Sequence, residues 1–332
     1  MKTLIAAIFL LVFSNTTYSQ EIVFSELPGA PVIINPANTG YFDGNWRFFN
    51  NYRVRTGNFN APSYSGVVGF DKQFEIYNQQ INGGFFYHSD ISSLNTLYVH
   101  QFCFTTSYHL RISSTSIISF GIHAGLINKR TDNRNLTAPE QYDISIGQFN
   151  TGLPSGEIFT IEKKWYPDLG SGLSWRKKIK RGLLDAGIAA YHLNKPQEKF
   201  LFTESVISQK YIVHGAFEVN VNTNTIVKPR FFYSINDAAS ELNAGGSITY
   251  KLNYYTHINA GIFYRSGFKR NSDALIFYAG MKFNNWTLGL NYDYDISGLH
   301  NITTRSNAFE ISLIYIRPST KLDNLKEPCI LY

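Results

Sequence analysis

Most of the chain after Asn45 alternates apolar and polar residues with a period of two. Between Trp286 and Ser297, every second residue is apolar and the residues between them are small or polar. Residues 118–126 and 240–252 alternate in the same way. Because successive side chains of a strand point to opposite faces, each segment is predicted to be a β-strand with one apolar and one polar face.

About fourteen segments of this kind follow one another without a helical pattern of useful length between them. The predicted strands lie near residues 45–54, 63–71, 81–89, 94–110, 116–128, 167–176, 183–192, 211–221, 226–236, 240–252, 256–265, 273–283, 286–297 and 307–317.

The strand length separates a membrane barrel from a secreted soluble β-protein. Soluble strands are usually about five or six residues long, whereas these have about ten. At about 3.3 Å per residue and a tilt near 40°, ten residues cross the roughly 25 Å apolar band of an outer membrane. The pattern therefore predicts an all-β fold: a transmembrane outer-membrane β-barrel of about fourteen antiparallel strands.

Short and long connections alternate along the chain. The short turns follow the strands that end near residues 110, 176, 221, 252 and 283, whereas 129–166, 193–210, 266–272 and 298–306 are longer. Outer-membrane barrels have short periplasmic turns and long extracellular loops. This orientation places both chain ends in the periplasm of a multi-pass barrel in the cell outer membrane.

The N-terminus has the features of an export signal. Lys2 precedes an apolar run from Leu4 to Phe13, and Thr17 and Ser19 suit the −3 and −1 positions of a cleavage site. The predicted organisation is a signal peptide over 1–19, a periplasmic N-terminal segment over 20–44, the barrel over 45–317 and a periplasmic tail over 318–332. Residues 20–44 are expected to be exposed to the periplasm.

Composition agrees with an exported barrel and argues against several other classes. Aromatic and charged residues each make up 16% of the chain, and the net charge of +6 is spread out. No nucleic-acid partner is expected from so mild a charge. Two cysteines far apart, Cys103 and Cys329, do not form a disulfide framework and are expected to be free.

The alternation assigns a face to each strand residue. The polar residues predicted to face the lumen are His123, Glu241, Asn291, Asp293 and Asp295. The apolar residues predicted to face lipid are Phe120, Ile122, Leu288, Leu290 and Tyr292. Small lumen residues, including Gly121, Gly172 and Gly289, leave open whether the lumen is open or plugged.

No constellation for catalysis, metal binding or cofactor binding is predicted. The eight histidines are scattered without metal-ligand spacing. Asp293 and Asp295 share a face and invite a paired-carboxylate reading, but lining a watery lumen explains them more simply. The basic run Arg176–Arg181 suits contact with outer-membrane lipid headgroups, with a periplasmic docking contact as the alternative. The chain is therefore not expected to be an enzyme or to hold a cofactor.

Several short stretches, in order over nearly the whole mature chain, resemble the PorP/SprF family of type IX secretion system membrane proteins from the Bacteroidetes. The first is the Asn-Pro-Ala…Gly signature at residues 35–40, and Tyr52-Arg53 follows. The residues that carry the resemblance are Asn35, Pro36, Ala37, Gly40, Tyr52, Arg53, Asp168, Gly170, His192, Pro196, Arg265, Asp273, Asp293 and Glu310.

The resemblance implies an outer-membrane component of type IX secretion that anchors or helps export a cell-surface protein. The implied partners are type IX components in the periplasm and outer membrane, and an exported surface protein with a C-terminal sorting domain, such as a gliding-type adhesin. The long loops are large enough to hold such a protein. The main alternative is a passive diffusion channel for small or apolar solutes. An outer-membrane hydrolase is a weaker alternative, because no Ser/His/acid constellation can be assembled.

Overall fold

Fourteen antiparallel strands close into a barrel in the computed structural model of the chain. The structure describes residues 24–56, 62–77, 79–92, 96–132, 136–156, 161–200, 203–237, 239–268, 273–298 and 306–319. The predicted signal peptide, Cys329 and most of the C-terminal tail lie outside these residues. Within them, no helix is long and apolar enough to cross a bilayer.

The barrel strands run in sequence order around the ring, and β1 pairs with β18 to close it. They are β1 (Trp46–Arg55), β2 (Ser63–Ile76), β3 (Gln79–Ile91), β4 (Leu97–Ser113), β5 (Ser116–Asp132), β8 (Ile161–Ile179), β9 (Gly182–Tyr191), β12 (Lys210–Asn220), β13 (Thr225–Ile235), β14 (Ser240–Lys251), β15 (Thr256–Ser266), β16 (Ala274–Phe283), β17 (Trp286–Asp295) and β18 (Ala308–Arg317).

Two small hairpins lie in the long connections and form separate two-stranded sheets. The first pairs β6 (Tyr142–Asp143) with β7 (Gln148–Phe149), between β5 and β8. The second pairs β10 (Gln197–Phe200) with β11 (Thr203–Val206), between β9 and β12. A short 3-10 turn at Pro139–Gln141 precedes the first hairpin.

The predicted fold class is confirmed, and most strand ends agree within a few residues. The largest difference is β8, which begins at Ile161 rather than near residue 167, because its pairing with β5 continues up to Asp132 and Ile161. The expected connection 129–166 is therefore shorter than the alternation indicated. Strand pairing continues here although Glu162, Lys163 and Lys164 break the apolar alternation.

The barrel has one end with short turns and one end with long connections. β1 begins and β18 ends at the short-turn end, as the sequence predicted from the turn lengths. Around the outside, large apolar side chains are exposed: Phe120 is 52% exposed, Ile122 47%, Leu290 37% and Tyr292 42%. Leu288, on the same face of β17, is partly exposed.

Residues Phe24–Phe42, called the lumen segment below, fill the inside of the barrel. Nearly all of them are buried. Their apolar side chains pack against the inner faces of the strands. The segment contains a 3-10 turn at Leu27–Gly29, a helical turn at Pro31–Ile34 and a second 3-10 turn at Pro36–Asn38. The expectation that residues 20–44 lie exposed in the periplasm is wrong for this part, because its apolar side chains are packed in the barrel core.

Candidate functional site

The lumen segment runs along the barrel from the long-connection half to the short-turn end. Phe24 lies in one apolar cluster with Phe86, and its ring meets the edge of His88. At the other end, the carbonyls of Gly40 and Phe42 accept hydrogen bonds from Gln73 at 2.8 and 2.6 Å. The lumen segment thus contacts the barrel wall at both of its ends and occupies the lumen between them.

The Asn-Pro-Ala signature forms the turn at the centre of the lumen segment. The Asn35 amide Oδ1 accepts the backbone N–H of Ala37 at 2.9 Å and caps the 3-10 turn that follows. Its Nδ2 donates to the carbonyls of Leu173 and Ile188, both at 3.1 Å. One side chain therefore shapes the turn and fastens it to β8 and β9.

Two lumen glycines admit this turn. A Cβ on Gly121 would overlap the backbone of Pro36 and Ala37, and one on Gly172 would overlap the Asn35 amide. A strand glycine with no side chain marks a place where another backbone approaches closely. Gly121 and Gly172 therefore leave the space that the lumen segment occupies.

A cluster of charged residues, called the closing cluster below, holds the start of the segment near the β1–β18 seam. Its members are Arg53, Arg265, Asp293 and Glu310. Arg53 bonds Asp293 at 2.6 Å and Glu310 at 2.9 Å, and Arg265 bonds Asp293 at 2.7 Å. Two cations and two carboxylates balance in charge, which is what burial away from water requires.

The closing cluster binds the lumen segment through its backbone and through Ser25. The backbone N–H groups of Ser25 and Glu26 donate to the Glu310 carboxylate at 2.9 and 2.8 Å. The Ser25 hydroxyl donates to Asp293 at 2.7 Å and accepts from Arg53 at 2.6 Å. The four residues of the closing cluster and Ser25 and Glu26 of the lumen segment thus form one network, although they are far apart in sequence.

Glu26 adds a third carboxyl next to this balanced cluster. Burial raises the pKa of the Glu26 carboxyl to about 7, against the lowering effect of its hydrogen bond with Ser312. The nearby Glu310 carboxylate raises that pKa further, whereas the nearby cation of Arg230 lowers it. Asn291 donates to Glu26 Oε2 at 3.0 Å, so this predicted lumen residue contacts the segment directly.

A second ion pair fastens the segment at the short-turn end. Arg47 binds Asp71 through two hydrogen bonds of 2.9 and 2.7 Å, and Asp71 also accepts the backbone N–H of Gly40 at 2.7 Å. Gly40 has a φ of +69°, a left-handed conformation that glycine adopts without strain. The conformation at Gly40 turns the chain out of the lumen and toward β1.

Arg176 also faces inward, which corrects the interpretation of the basic run. Its guanidinium is buried, pairs with Asp185, donates to the Asn38 amide and lies over the Tyr41 ring. Lys177, Lys180 and Arg181 are exposed at the short-turn end. For these three, contact with lipid headgroups or with a periplasmic partner stays a prediction. The run therefore divides between holding the lumen segment and presenting positive charge outside.

Asp168 lies between two histidines on the lumen wall. Its carboxylate oxygens are 3.0 Å from His123 Nε2 and 2.7 Å from His192 Nδ1. All three are buried, and the thiol of Cys103 is 3.8 Å from the same His123 nitrogen. Within the described residues, no group of three or more His, Cys, Asp and Glu residues is arranged to hold a metal ion.

The remaining predicted site residues are placed apart from these clusters. Asp295 accepts the backbone N–H groups of Ser297 and Ser306, both at 2.9 Å, so it orders a connection and does not act with Asp293. Asp273 accepts the Gly267 N–H at 3.0 Å. Tyr52 faces outward, and Glu241 is partly buried. Gly170 packs against Tyr191, and the Pro196 carbonyl accepts the Ile207 N–H at 2.9 Å.

A second candidate site is the connection between β5 and β8, described over residues 136–156. Gln141 is its buried centre: its side chain accepts from the Ala138 N–H at 3.0 Å and donates to the Leu153 carbonyl at 3.1 Å. The apolar side chains of the β6–β7 hairpin point away from that centre. Ile144 is 89% exposed and Ile146 59%.

Sequence reasoning missed the lumen segment and the closing cluster. The signal was present in part, because the run Pro31–Ile34 is apolar and small residues line one face of several strands. The partners of Arg53 could not be assigned, because pairing across a barrel seam joins residues more than two hundred positions apart.

Solved structures of other proteins share this barrel fold. The fold is similar to that of the CymD monoaromatic hydrocarbon channel, with a TM-score of 0.51 at 10% identity over 90% of this chain and 95% of that one. A Pseudomonas aeruginosa FadL homologue is similar too, with a TM-score of 0.51 at 10% identity over 87% and 94% of the two chains. At such identity the likeness shows the barrel fold alone. No curated protein matches the chain in sequence.

The family assignment comes from the sequence match. The model of the family described as "Type IX secretion system membrane protein PorP/SprF" matches residues 16–315, which includes the lumen segment and every barrel strand up to most of β18. The chain is an outer-membrane β-barrel and belongs to the PorP/SprF family of type IX secretion system membrane proteins.

Proposed function

We propose that this barrel retains an exported surface protein at its long-connection end, which faces the cell exterior. The observation that carries the proposal is the connection 136–156, whose backbone is ordered around Gln141 while Ile144, Ile146 and Phe149 are exposed. An ordered loop that points apolar side chains into water is a typical protein-binding element. These side chains are free to bury against a partner.

The filled lumen supports an anchoring role over a diffusion channel. A solute crossing the barrel would have to displace the lumen segment, which is held by the closing cluster and by the Arg47–Asp71 pair. Displacement would break the buried hydrogen bonds that the backbone N–H groups of Ser25, Glu26 and Gly40 donate to carboxylates. Hydrogen bonds to charged groups contribute about 1.5–3 kcal/mol each. A closed barrel that grips a partner outside needs no such opening.

The short-turn end then faces the periplasm and docks to type IX components. Lys177, Lys180 and Arg181 are exposed there and supply positive charge. Anionic lipid headgroups and an acidic periplasmic component would both be attracted by it. The cargo is an exported protein with a C-terminal sorting domain, in line with the family's role in type IX secretion.

The experiment compares two forms of the tagged barrel purified from native membranes. One carries Ile144→Asp with Ile146→Asp, and the control carries Gln148→Ala, which alters an exposed polar residue of the same hairpin. The exported surface protein that co-purifies is identified and quantified per barrel by mass spectrometry.

The double substitution is expected to reduce the co-purified protein at least about tenfold, which corresponds to about 1.4 kcal/mol of binding free energy. The control is expected to recover wild-type amounts. Equal recovery from both variants would show that the hairpin is not the receptor. If the wild-type barrel recovers no exported protein and no type IX component, the anchoring proposal fails and the diffusion channel becomes the leading account.

A further inference from the structure

One strand edge at the rim of the barrel has no ladder partner among the described residues. β8 pairs with β5 along its whole length, but its pairing with β9 begins only at Ser171. Leu169 bonds toward β9, since its carbonyl accepts the Leu193 N–H at 2.9 Å. Because backbone groups of alternate residues point to the same side of a strand, those of Ile161, Lys163 and Trp165 also face this side.

The edge of β8 has hydrogen-bond partners at Pro167 and Leu169, and among the described residues it lacks backbone partners between Ile161 and Trp165. Asn194 donates to the Pro167 carbonyl at 2.8 Å and accepts the Leu169 N–H at 3.1 Å, so it replaces a strand partner there. Within the described part of the chain, no backbone group pairs with Ile161, Lys163 or Trp165 on that side. Three N–H and three C=O groups therefore form a short unpaired ladder.

The open part lies outside the apolar band of the barrel. Going along β8, the outward-facing side chains are Trp165, Leu169, Leu173 and Trp175. Paired aromatic girdles mark the two interfaces of a membrane barrel, with aliphatic residues between them. Trp165 thus marks the outer membrane–water interface. The residues of β8 that precede it, from Ile161 on, lie on the water side of that interface. Open strand edges are tolerated only there.

The neighbouring hairpin does not extend the sheet over this edge. β10 and β11 pair only with each other. Glu198 of β10 reaches Lys129 of β5 at 2.7 Å. Lys129 is two residues beyond buried Ile127, on the inner face, so Glu198 approaches the sheet from the lumen side. The backbone of β10 comes close to that of β8, but no ladder joins the two strands.

We propose that this edge of β8 binds an extended, acidic segment of the exported protein by adding a strand to the barrel sheet. The inference rests on the proposed retention function and adds a second contact to that of the β6–β7 hairpin. Lys163 and Lys164 are exposed on the two faces of the edge strand, and neither has a carboxylate partner among the described residues. Cross-strand pairs of opposite charge stabilise an added strand.

The same two lysines argue against a second copy of the barrel as the occupant. Edge-to-edge pairing of two identical strands would bring Lys163 and Lys164 of each copy close together, and like charges opposite one another are destabilising. Pro167 limits the ladder, because proline has no N–H to donate and its carbonyl is already occupied by Asn194. The site therefore suits a short acidic strand.

The test uses a backbone change that spares the barrel. Lys163→Pro removes the N–H that faces the free edge, and that N–H takes no part in the ladder with β5. Lys163→Ala is the matched control, since it removes the same charge and keeps the N–H. The probe is a fluorescent acidic peptide of Thr, Val and Glu, titrated against the full barrel in nanodiscs by fluorescence anisotropy.

The wild-type barrel is expected to bind this peptide saturably, and Lys163→Pro to weaken binding at least about tenfold more than Lys163→Ala does. A peptide N-methylated at alternate residues, which cannot form the ladder, should not bind. Equal affinities of the two variants, binding of the N-methylated peptide or absence of saturable binding would overturn the proposal. So would a wild-type dimer that Lys163→Pro dissociates.

Retention in cells separates this inference from the proposed function. If Lys163→Pro recovers as much exported protein from membranes as Lys163→Ala does, the edge is not the contact, while retention itself stands. If the wild-type barrel recovers none, the retention function fails. Loss of the exported protein with Lys163→Pro alone supports both.

Discussion

Arg53 on the first barrel strand and Glu310 on the last are register partners and are joined by an ion pair of 2.9 Å. The pair spans the seam at which the barrel closes. Both side chains are buried, and Glu310 also receives the backbone N–H groups of Ser25 and Glu26. Closure of the barrel and docking of the lumen segment therefore depend on the same two side chains.

Arg53→Met is expected to destabilise the barrel by about 3–5 kcal/mol. Glu310 is then buried without its cation, and Asp293 keeps only Arg265. Arg53→Met with Glu310→Gln should recover part of that loss, since it removes the uncompensated charge. The measurement is urea unfolding, followed by the mobility of unboiled protein on gels.

The matched control is Arg130→Met, which breaks the pair with Asp132 at 2.8 Å where Arg130 is 39% exposed. Exposed pairs contribute about 0–1 kcal/mol, so this variant should unfold close to wild type. If Arg53→Met and Arg130→Met unfold at the same urea concentration, the closing cluster does not stabilise the barrel.

Docking of the lumen segment is expected to weaken as the pH rises. Burial raises the pKa of Glu26 to about 7 from an ordinary 4.5, so the docked segment keeps a proton that a released one loses. The stabilisation is complete below pH 4.5 and is lost as the pH rises through 7, by up to about 3 kcal/mol. Protease cleavage near Glu26, measured against pH, reports the release.

Glu26→Gln supplies the control for this pH dependence. A neutral amide mimics the protonated carboxyl, so the variant should resist cleavage equally at pH 5 and at pH 8, on either side of the pKa of about 7. A wild-type segment that is cleaved at the same rate at both pH values would contradict the role assigned to Glu26.

The sequence predicted the barrel wall well and its contents poorly, for a physical reason. Period-two alternation reports which face of a strand meets lipid, so Leu290 and its neighbours identify the strands directly. On the lumen side, polar residues are paired according to which strands and segments the fold brings together. Nothing local in the sequence pairs Arg53 with Asp293, or Asn35 with a carbonyl on β9. The turn at 35–40 was recognisable only by its resemblance to a family.

Leu290→Arg is expected to cost about 2–4 kcal/mol of barrel stability, because its side chain is 37% exposed on the outer face near the middle of β17. Ile144→Arg is the control, since Ile144 is 89% exposed in the loop hairpin and an arginine there stays in water. Folded yield in a refolding titration into lipid measures both. Equal losses would mean that the outer face of β17 is wrongly assigned.

Gly121→Ala is expected to release the lumen segment while leaving the barrel assembled. Its new Cβ would overlap the backbone of Pro36 and Ala37, which cannot move aside as the end of a flexible side chain does. Overpacking of this kind costs about 1–3 kcal/mol, enough to raise the open population by about 5- to 150-fold. Conductance in planar bilayers should rise together with protease cleavage of the segment.

Gly246→Ala is the control, because a Cβ there meets nothing closer than 3.8 Å. If Gly121→Ala conducts no better than Gly246→Ala although its segment is cleaved, something other than Phe24–Phe42 closes the lumen. If wild type already conducts as well as Gly121→Ala, the lumen is open, and the diffusion channel gains over the anchor.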